Sequence, residues 1–507
     1  MPNMLTKKEY EEISANLSTP NQAFIDGKFT GAQSGETFET INPATGNTIT
    51  RITSCDQADV DLAVNFARSA FESGCWSKMH PAERKRILIK LAGLIKINQL
   101  ELAVLESIES GKPISDCVNV DIPETVNCLI WHAEAIDKIY DQISPSGNDA
   151  LGLIVREPMG VVSCVLPWNF PLLMLAFKIG PALAAGNSIL VKPAEQTSMT
   201  TLRVAELAKE AGIPDGIFNV ITGFGETAGQ AIGQHPDIDA VSFTGSTEVG
   251  RMFLEYSARS NLKRVVLECG GKAPSIVLAD ATDLDAIAEH VVSSAFWSMG
   301  QNCTSNSRLI VHQDIKTQLM PKILDQVKSW HTGDPLDPEN ALGAMISLEH
   351  YSRVLGFISS GKADGADILC GGNHIEKGNG LYIEPTIFDN VETQMDIASE
   401  EIFGPVLSVL TVGSEEEAIA LANDTPYGLH ASLYTSNVKS AHRVAREIQA
   451  GTVSVNCYSE GDITTPFGGY KLSGFGGRDN SLQAHDQYTE TKTIWVDLSN
   501  EIAGRSD

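Results

Sequence analysis

From Gly160 onward, short apolar runs alternate with stretches whose apolar residues recur every three to four positions. Residues 161–165 predict a buried strand, 172–185 a helix, 188–191 a strand and 198–211 a helix. Two more strands are predicted at 218–221 and 240–243. Strand and helix in this order predict a parallel sheet covered on both faces. A second alternation begins at 275–278, passes through a helical stretch at 284–299 and runs to about residue 470. Before residue 160 the pattern differs. Residues 21–60 read as short strands punctuated by Asp26-Gly27, Ser34-Gly35 and Asn42-Pro43. From Asp59 to about Tyr140 the spacing is helical, as in Ile87, Leu88, Leu91, Leu94 and Ile95. The last segment, 488–498, is rich in Thr and Val and reads as an exposed strand with no partner near it in the chain. Such a strand needs a sheet to join, which makes an oligomer the expectation.

Composition narrows the function. The 507 residues are 42% hydrophobic, enough for two to four domains with a full core. Lys and Arg number 37 against 64 Asp and Glu, a net charge of −27. That balance argues against a nucleic-acid groove or an anionic membrane surface, and it draws cationic small molecules towards any cleft. No apolar run approaches the roughly 18–20 residues that span a bilayer. Residues 1–20 carry Lys7, Lys8, Glu9, Glu11 and Glu12 without an apolar stretch and read as a polar tail, not a secretion signal. Nine cysteines without a CxxC pair fit a reducing, cytoplasmic compartment better than a disulfide framework. Eleven histidines show no HExxH or similar spacing, so no catalytic metal is expected.

Three segments carry chemistry. Cys303 follows a predicted helix in the polar turn Gly300-Gln301-Asn302-Cys303. Glu268 ends an apolar strand in Val266-Leu267-Glu268-Cys269-Gly270-Gly271, where two glycines suit a tight turn beside a cleft. Asn169 lies in Leu166-Pro167-Trp168-Asn169-Phe170-Pro171, its backbone fixed by prolines on either side. Taken singly, each reads equally as structure: a buried thiol, a turn cap, a rigid loop. Together they supply a nucleophile, a base and an oxyanion donor.

In this order, and with Lys192-Pro193-Ala194-Glu195, Phe243-Thr244-Gly245-Ser246-Thr247, Glu401-Ile402-Phe403-Gly404-Pro405 and Pro466-Phe467-Gly468-Gly469, these motifs resemble the aldehyde dehydrogenase superfamily. The resemblance spans about residues 21–499. It implies an α/β fold with a Rossmann-like parallel-sheet NAD-binding domain (21–140 and 160–270) and a second α/β catalytic domain (271–470). It also implies a small β arm (141–159 and 486–499) that crosses into a neighbour, giving a homodimer or homotetramer. Cys303 is then the nucleophile, Glu268 the general base, and the Asn169 side chain with the Cys303 N–H the oxyanion hole. An aldehyde would pass through a thiohemiacetal and a thioester to the acid, with NAD as hydride acceptor. Two readings fit Lys178: a proton relay, or a lysine solvating a helix face.

The usual G-x-G-x-x-G phosphate loop is missing after residue 165. Gly223-Phe224-Gly225 with Gly229 has the wrong last spacing; Gly225 is a candidate cofactor contact, and a loop feeding a helix fits equally. The resemblance places pyrophosphate near Ser246 and Trp168, the adenosine ribose near Lys192 and Glu195, and the nicotinamide end at Glu401 and Phe403. A carboxylate at Glu195 repels a 2′-phosphate, so NAD is expected over NADP.

Substrate walls align with 121–124, 173–177, 296–297 and 457–465. Aromatic side chains at Phe170, Phe177, Trp297 and Phe467 suit an apolar stem. Asp121, Glu124, Glu460 and Asp462 are expected at the mouth, either as a rim for an amine or guanidinium or as solvated surface. The 457–465 loop and Glu-Ala-Ile-Asp-Lys at 134–138 look most like bacterial γ-glutamyl-γ-aminobutyraldehyde and 4-guanidinobutyraldehyde dehydrogenases, which points to polyamine or arginine breakdown. A broad aliphatic or aromatic specificity, including indole-type aldehydes, is the alternative. A CoA-acylating semialdehyde dehydrogenase fits less well, because it has no need of the water-activating Glu268.

Overall fold

In the computed structural model, which describes residues 4–499, five parallel strands form the centre of one sheet. Their spatial order is Phe218–Val220, Ser188–Lys192, Val161–Val165, Ala240–Thr244 and Arg264–Glu268. Nearly every residue in them is buried, which is why they read as continuous apolar runs without alternation. The order reverses between Val161–Val165 and Ala240–Thr244. The crevice beyond the carboxyl ends of those two strands is where such sheets bind ligands. Antiparallel strands Ala23–Ile25 and Lys28–Thr30 extend one edge, and Gly474–Phe475 extends the other. Helix Pro171–Ala185 starts on Pro171, where no N–H is needed, and stops at Gly186 in the left-handed region at φ 102°.

A second sheet holds Asp367–Cys370, Thr386–Asp389, Val406–Val412, Arg308–His312, Pro274–Val277, His430–Tyr434 and Thr452–Val455, parallel except at its first strand. Helix Leu284–Phe296 connects Pro274–Val277 to Arg308–His312 and is three residues shorter than the sequence pattern predicts. Ser298, Met299 and Gly300 turn left-handed at φ 53°, 58° and 65°. Gly300 is pressed so closely on the Gly404 carbonyl that a Cβ would overlap it. This turn sends residues 301–303 back towards the first sheet instead of extending the helix.

The terminal strand Thr489–Asp497 does have a partner within the chain. It pairs antiparallel with Ala150–Pro158, from Thr489 opposite Pro158 to Asp497 opposite Ala150, and Gln142–Ile143 completes the sheet. Ile494, Trp495 and Val496 on it and Leu498 just after it are exposed. Residues 1–3 lie outside the described residues, but Lys7–Ala15 is a helix, not a tail. Thr6 and Glu9 form a capping box there, and Tyr10 is fully buried. Among the described residues, no helix is long and apolar enough to cross a membrane.

Candidate active site

Three loops converge on one cavity of about 370 Å³ at the switch point, and Asn169, Glu268 and Cys303 all line it. The two glycines after Glu268 make the convergence possible. A Cβ on Gly270 would overlap the Glu401 carboxylate, and one on Gly271 would stand 2.6 Å from the Cys303 carbonyl. Gly468 does the same for Glu268, since a Cβ there would lie 2.6 Å from Oε1. Asn169 donates through Nδ2 to the Gln301 carbonyl at 2.9 Å, which ties the oxyanion loop to the cysteine loop. Gln301 in turn accepts from the Ile346 N–H at 3.1 Å.

The charges around Cys303 are negative. Burial pushes its thiol well above the usual range, and Glu460, Glu401 and Glu268 push it further. Glu268 is 3% exposed, and neither carboxylate oxygen has a well-formed hydrogen bond, although the Gly469 amide is close enough to draw its pKa down. Desolvation, with Asp479 second, holds Glu268 well above an ordinary carboxylic acid; Lys178 and Arg478 oppose this. Lys178 does not solvate a helix face. It is fully buried, donates to Ser242 Oγ at 3.0 Å and lies 3.5 Å from Asp479. A buried polar chain therefore runs from the vicinity of Glu268 to Asp479 and on to Gln487, whose Nε2 donates to Asp479 at 2.9 Å.

From Cys303 the cavity continues past Glu401, Phe403 and Trp168 to Ser246. Glu401 accepts from the Gly271 N–H at 2.7 Å, and burial pushes its carboxyl up to about 7. Phe403 is left-handed at φ 57° and packs edge-on to Trp168 at 5.3 Å. Ser246 caps helix Thr247–Arg259, whose first N–H groups open into the crevice end of the sheet. Thr244 Oγ1 and both Glu268 oxygens are buried without partners, as expected of groups that await a polar ligand. These features fit a dinucleotide laid from Ser246 towards Cys303. Lys192 and Glu195 sit off the main cavity, 3.6 Å from one another. Gly229 stands beside the Lys192 side chain, and Glu226 is near enough to act on its charge, so the Gly225 segment borders the same corner.

On the substrate side, Phe170, Trp297, Phe177 and Phe467 form the wall; Phe170 and Trp297 are 5.3 Å apart and Phe177 and Phe467 6.4 Å. The acidic rim is mostly wrong. Asp121 is fully buried behind the wall and paired with Lys112 at 2.8 Å, while the Lys112 ammonium lies 3.7 Å from the centre of the Phe170 ring. A π-type widening at Cys117–Asp121 precedes helix Ile122–Ala135 at this point. Glu124 is exposed, accepts from Asn127 and does not line the cavity. Asp462 is exposed outside it too, accepting from the N–H and hydroxyl of Thr464 at 2.8 and 2.6 Å. Glu460 alone of the four lines the cavity with Cys303.

Several lining residues carry no signal in the sequence. His350 donates from Nε2 to the Phe403 carbonyl at 2.7 Å and packs on Trp168, and Arg353 donates to the Glu401 carbonyl at 2.9 Å. Both come from helix Leu348–Ala363, whose amphipathic spacing marks it only as surface. The Asn302–Thr304–Tyr458 network around Glu460 is equally invisible, because its members are about 155 positions apart.

A crevice at the switch point of a doubly wound sheet, opening onto the half-buried Cys303 and the buried Glu268, fits a nucleotide-dependent dehydrogenase. More specifically, residues 29–494 match the Aldehyde dehydrogenase family, and the chain belongs to it. It is 56% identical over 499 residues to the aminoacetaldehyde dehydrogenase of Pseudomonas aeruginosa, covering 98% of this chain and 100% of that one. Two solved structures superpose with a TM-score of 0.96, each covering 98% of this chain and 100% of the other. One is the indole-3-acetaldehyde dehydrogenase AldA of P. syringae in complex with NAD+ and IAA, 49% identical. The other is the gamma-glutamyl-gamma-aminobutyraldehyde dehydrogenase of Burkholderia cenocepacia, 46% identical.

Proposed function

We propose that the chain oxidises an ω-amino or ω-guanidino aldehyde to its acid with NAD, using Cys303 as nucleophile. The observation that carries this is the meeting of Cys303, Asn169 and Glu268 on one cavity continuous with Ser246 and Glu401. The Cys303 sulfur adds to the aldehyde carbon, and the alkoxide so formed is held by the Asn169 Nδ2 and the Cys303 N–H. When bound, NAD supplies the acceptor for the hydride that leaves this carbon. Phe170, Trp297 and Phe467 line the cavity around the resulting Cys303 thioester. Glu268 takes a proton from the one water that attacks it; the C–S bond breaks, releasing the acid and returning the thiolate. Burial raises Glu268 above the ordinary carboxylate range, so it performs this step best on the alkaline side of that raised value.

Glu460 supports the cationic substrate, since it is a carboxylate fixed on an otherwise aromatic wall. The similarity to aldehyde dehydrogenases of aminoacetaldehyde and γ-glutamyl-γ-aminobutyraldehyde agrees with it. Catalytic efficiency for 4-aminobutanal or 4-guanidinobutanal against butanal, at low and high salt and in Glu460→Gln, tests this. A cationic advantage of about tenfold that survives salt and vanishes in the variant is expected. A neutral aldehyde winning at both salts refutes it. The aromatic wall and the likeness to AldA favour indole-type aldehydes as the second reading. For assembly we infer a dimer or dimer of dimers, supported by the exposed apolar residues along Thr489–Asp497, and a monomer by light scattering at micromolar concentration would contradict it. The cytoplasmic placement remains part of this proposal.

A further inference from the structure

Cys303 stands between the two residues that hold Glu460. On one side Asn302 Nδ2 donates to Glu460 Oε1 at 3.5 Å, and on the other the Thr304 hydroxyl donates to the same oxygen. The Tyr458 hydroxyl closes the set, accepting from Asn302 Nδ2 at 3.0 Å and lying 3.2 Å from Thr304 Oγ1. This carboxylate is therefore fixed against the loop of the nucleophile, and both line one cavity. The other charged groups facing Cys303 are Glu268, at the end of strand Arg264–Glu268, and Glu401, after helix Asp396–Ser399. Both are acids. Arg353 and His350, the basic residues lining the cavity among the described residues, are engaged at the other end with the carbonyls of Glu401 and Phe403. Burial pushes His350 down to about 4, so it carries no charge to offset the acids.

A thiolate formed at Cys303 thus faces three acids and no adjacent cation, in a site where charges are screened less than in water; burial raises all three, and the hydrogen bonds from Thr304 and Asn302 draw Glu460 back down. After burial, Glu460 is the largest of the influences holding the thiol in its protonated form. We propose that Glu460 makes the nucleophile responsive to the charge of its substrate: an ammonium or guanidinium seated on this carboxylate cancels the negative charge beside the sulfur and frees Cys303 to ionise. The proposal rests on the reading that Glu460 takes a cationic head group, and it adds that binding and activation are one event. A neutral aldehyde that fits the cavity equally well would meet a less ionised nucleophile, so discrimination would fall on kcat as well as on KM.

The test follows alkylation of Cys303 by iodoacetamide across pH, read by mass spectrometry of the Cys303 peptide, because eight other free cysteines are present. Propylammonium chloride is compared with propan-1-ol at matched ionic strength, in the wild type and in Glu460→Gln. Glutamine keeps a carbonyl acceptor for Thr304 while removing the charge. Propylammonium should move the wild-type midpoint down by about one pH unit, roughly tenfold in reactive thiolate near neutrality. Propan-1-ol should not move it. Glu460→Gln should start from a lower midpoint and ignore propylammonium. An unmoved wild-type midpoint, or an equal shift in the variant, overturns the proposal. If 4-aminobutanal outperforms butanal while the midpoint stays put, the substrate reading stands and the coupling is refuted. If the midpoint moves while turnover shows no cationic preference, a cation reaches Glu460 without activating the reaction, and the proposal falls together with the substrate reading.

Discussion

Replacing Glu268 by Gln separates the two halves of the reaction, and the structure says by how much. Neither oxygen of this carboxyl has a well-formed hydrogen bond, so the amide breaks none, and the fold should hold to within roughly 1 kcal/mol. Folding raises the pKa of Glu268, so its contribution to stability falls as pH climbs from the ordinary carboxylate range through the raised value. Glutamine removes that slope. A positioned base is worth about 10²- to 10⁴-fold, or about 3–5 kcal/mol in the barrier to thioester hydrolysis. The loss should be greatest in alkaline solution, where the wild-type carboxylate is ionised, and should shrink in acid, where the wild type is itself protonated. Rapid mixing with aldehyde and NAD should show a burst close to one NADH per site, then near-arrest. Steady-state turnover equal to wild type at alkaline pH would refute the base role, and absence of any burst would show that Glu268 is needed before the thioester forms.

Three further outcomes follow from other parts of the molecule. Glu195→Gln should narrow the preference for NAD over NADP in kcat/KM, because a 2′-phosphate entering beside Lys192 now meets both Glu195 and Glu226; equal use of both cofactors by the wild type would contradict this. Lys112→Met leaves Asp121 and Glu106 buried without their cation and should cost roughly 3–5 kcal/mol in denaturant titration, partly recovered by adding Asp121→Asn; an unchanged midpoint would show the cluster to be idle. If Glu401 accepts hydrogen bonds from the cofactor's ribose as a carboxylate, NAD affinity should weaken as pH falls through about 7, a trend that isothermal titration should find absent in Glu401→Gln.

Much of this was legible because buried parallel strands announce themselves. The run at 161–165 matches Val161–Val165 residue for residue, and Cys303, Glu268 and Asn169 were found by motif and do meet on one cavity. What failed depended on contacts distant in sequence. Asp121 reads as rim because a carboxylate in a wall segment is usually solvated; nothing local reveals that Lys112 reaches it under the Phe170 ring. The helix predicted to residue 299 stops at Phe296 because Gly300 is needed against Gly404, a contact made across more than a hundred positions. The capping box Thr6–Glu9 is present in the sequence, but its charged surroundings suggest a tail.

The most direct test of the central claim is intact-protein and peptide mass spectrometry of Glu268→Gln after mixing with an ω-amino aldehyde and NAD. The account predicts the mass of the acyl group on the peptide carrying Cys303, matched to the NADH of the burst and lost in a Glu268→Gln/Cys303→Ala double variant. Acid and NADH formed by Cys303→Ala, or an acyl group resting on a different residue, would contradict it.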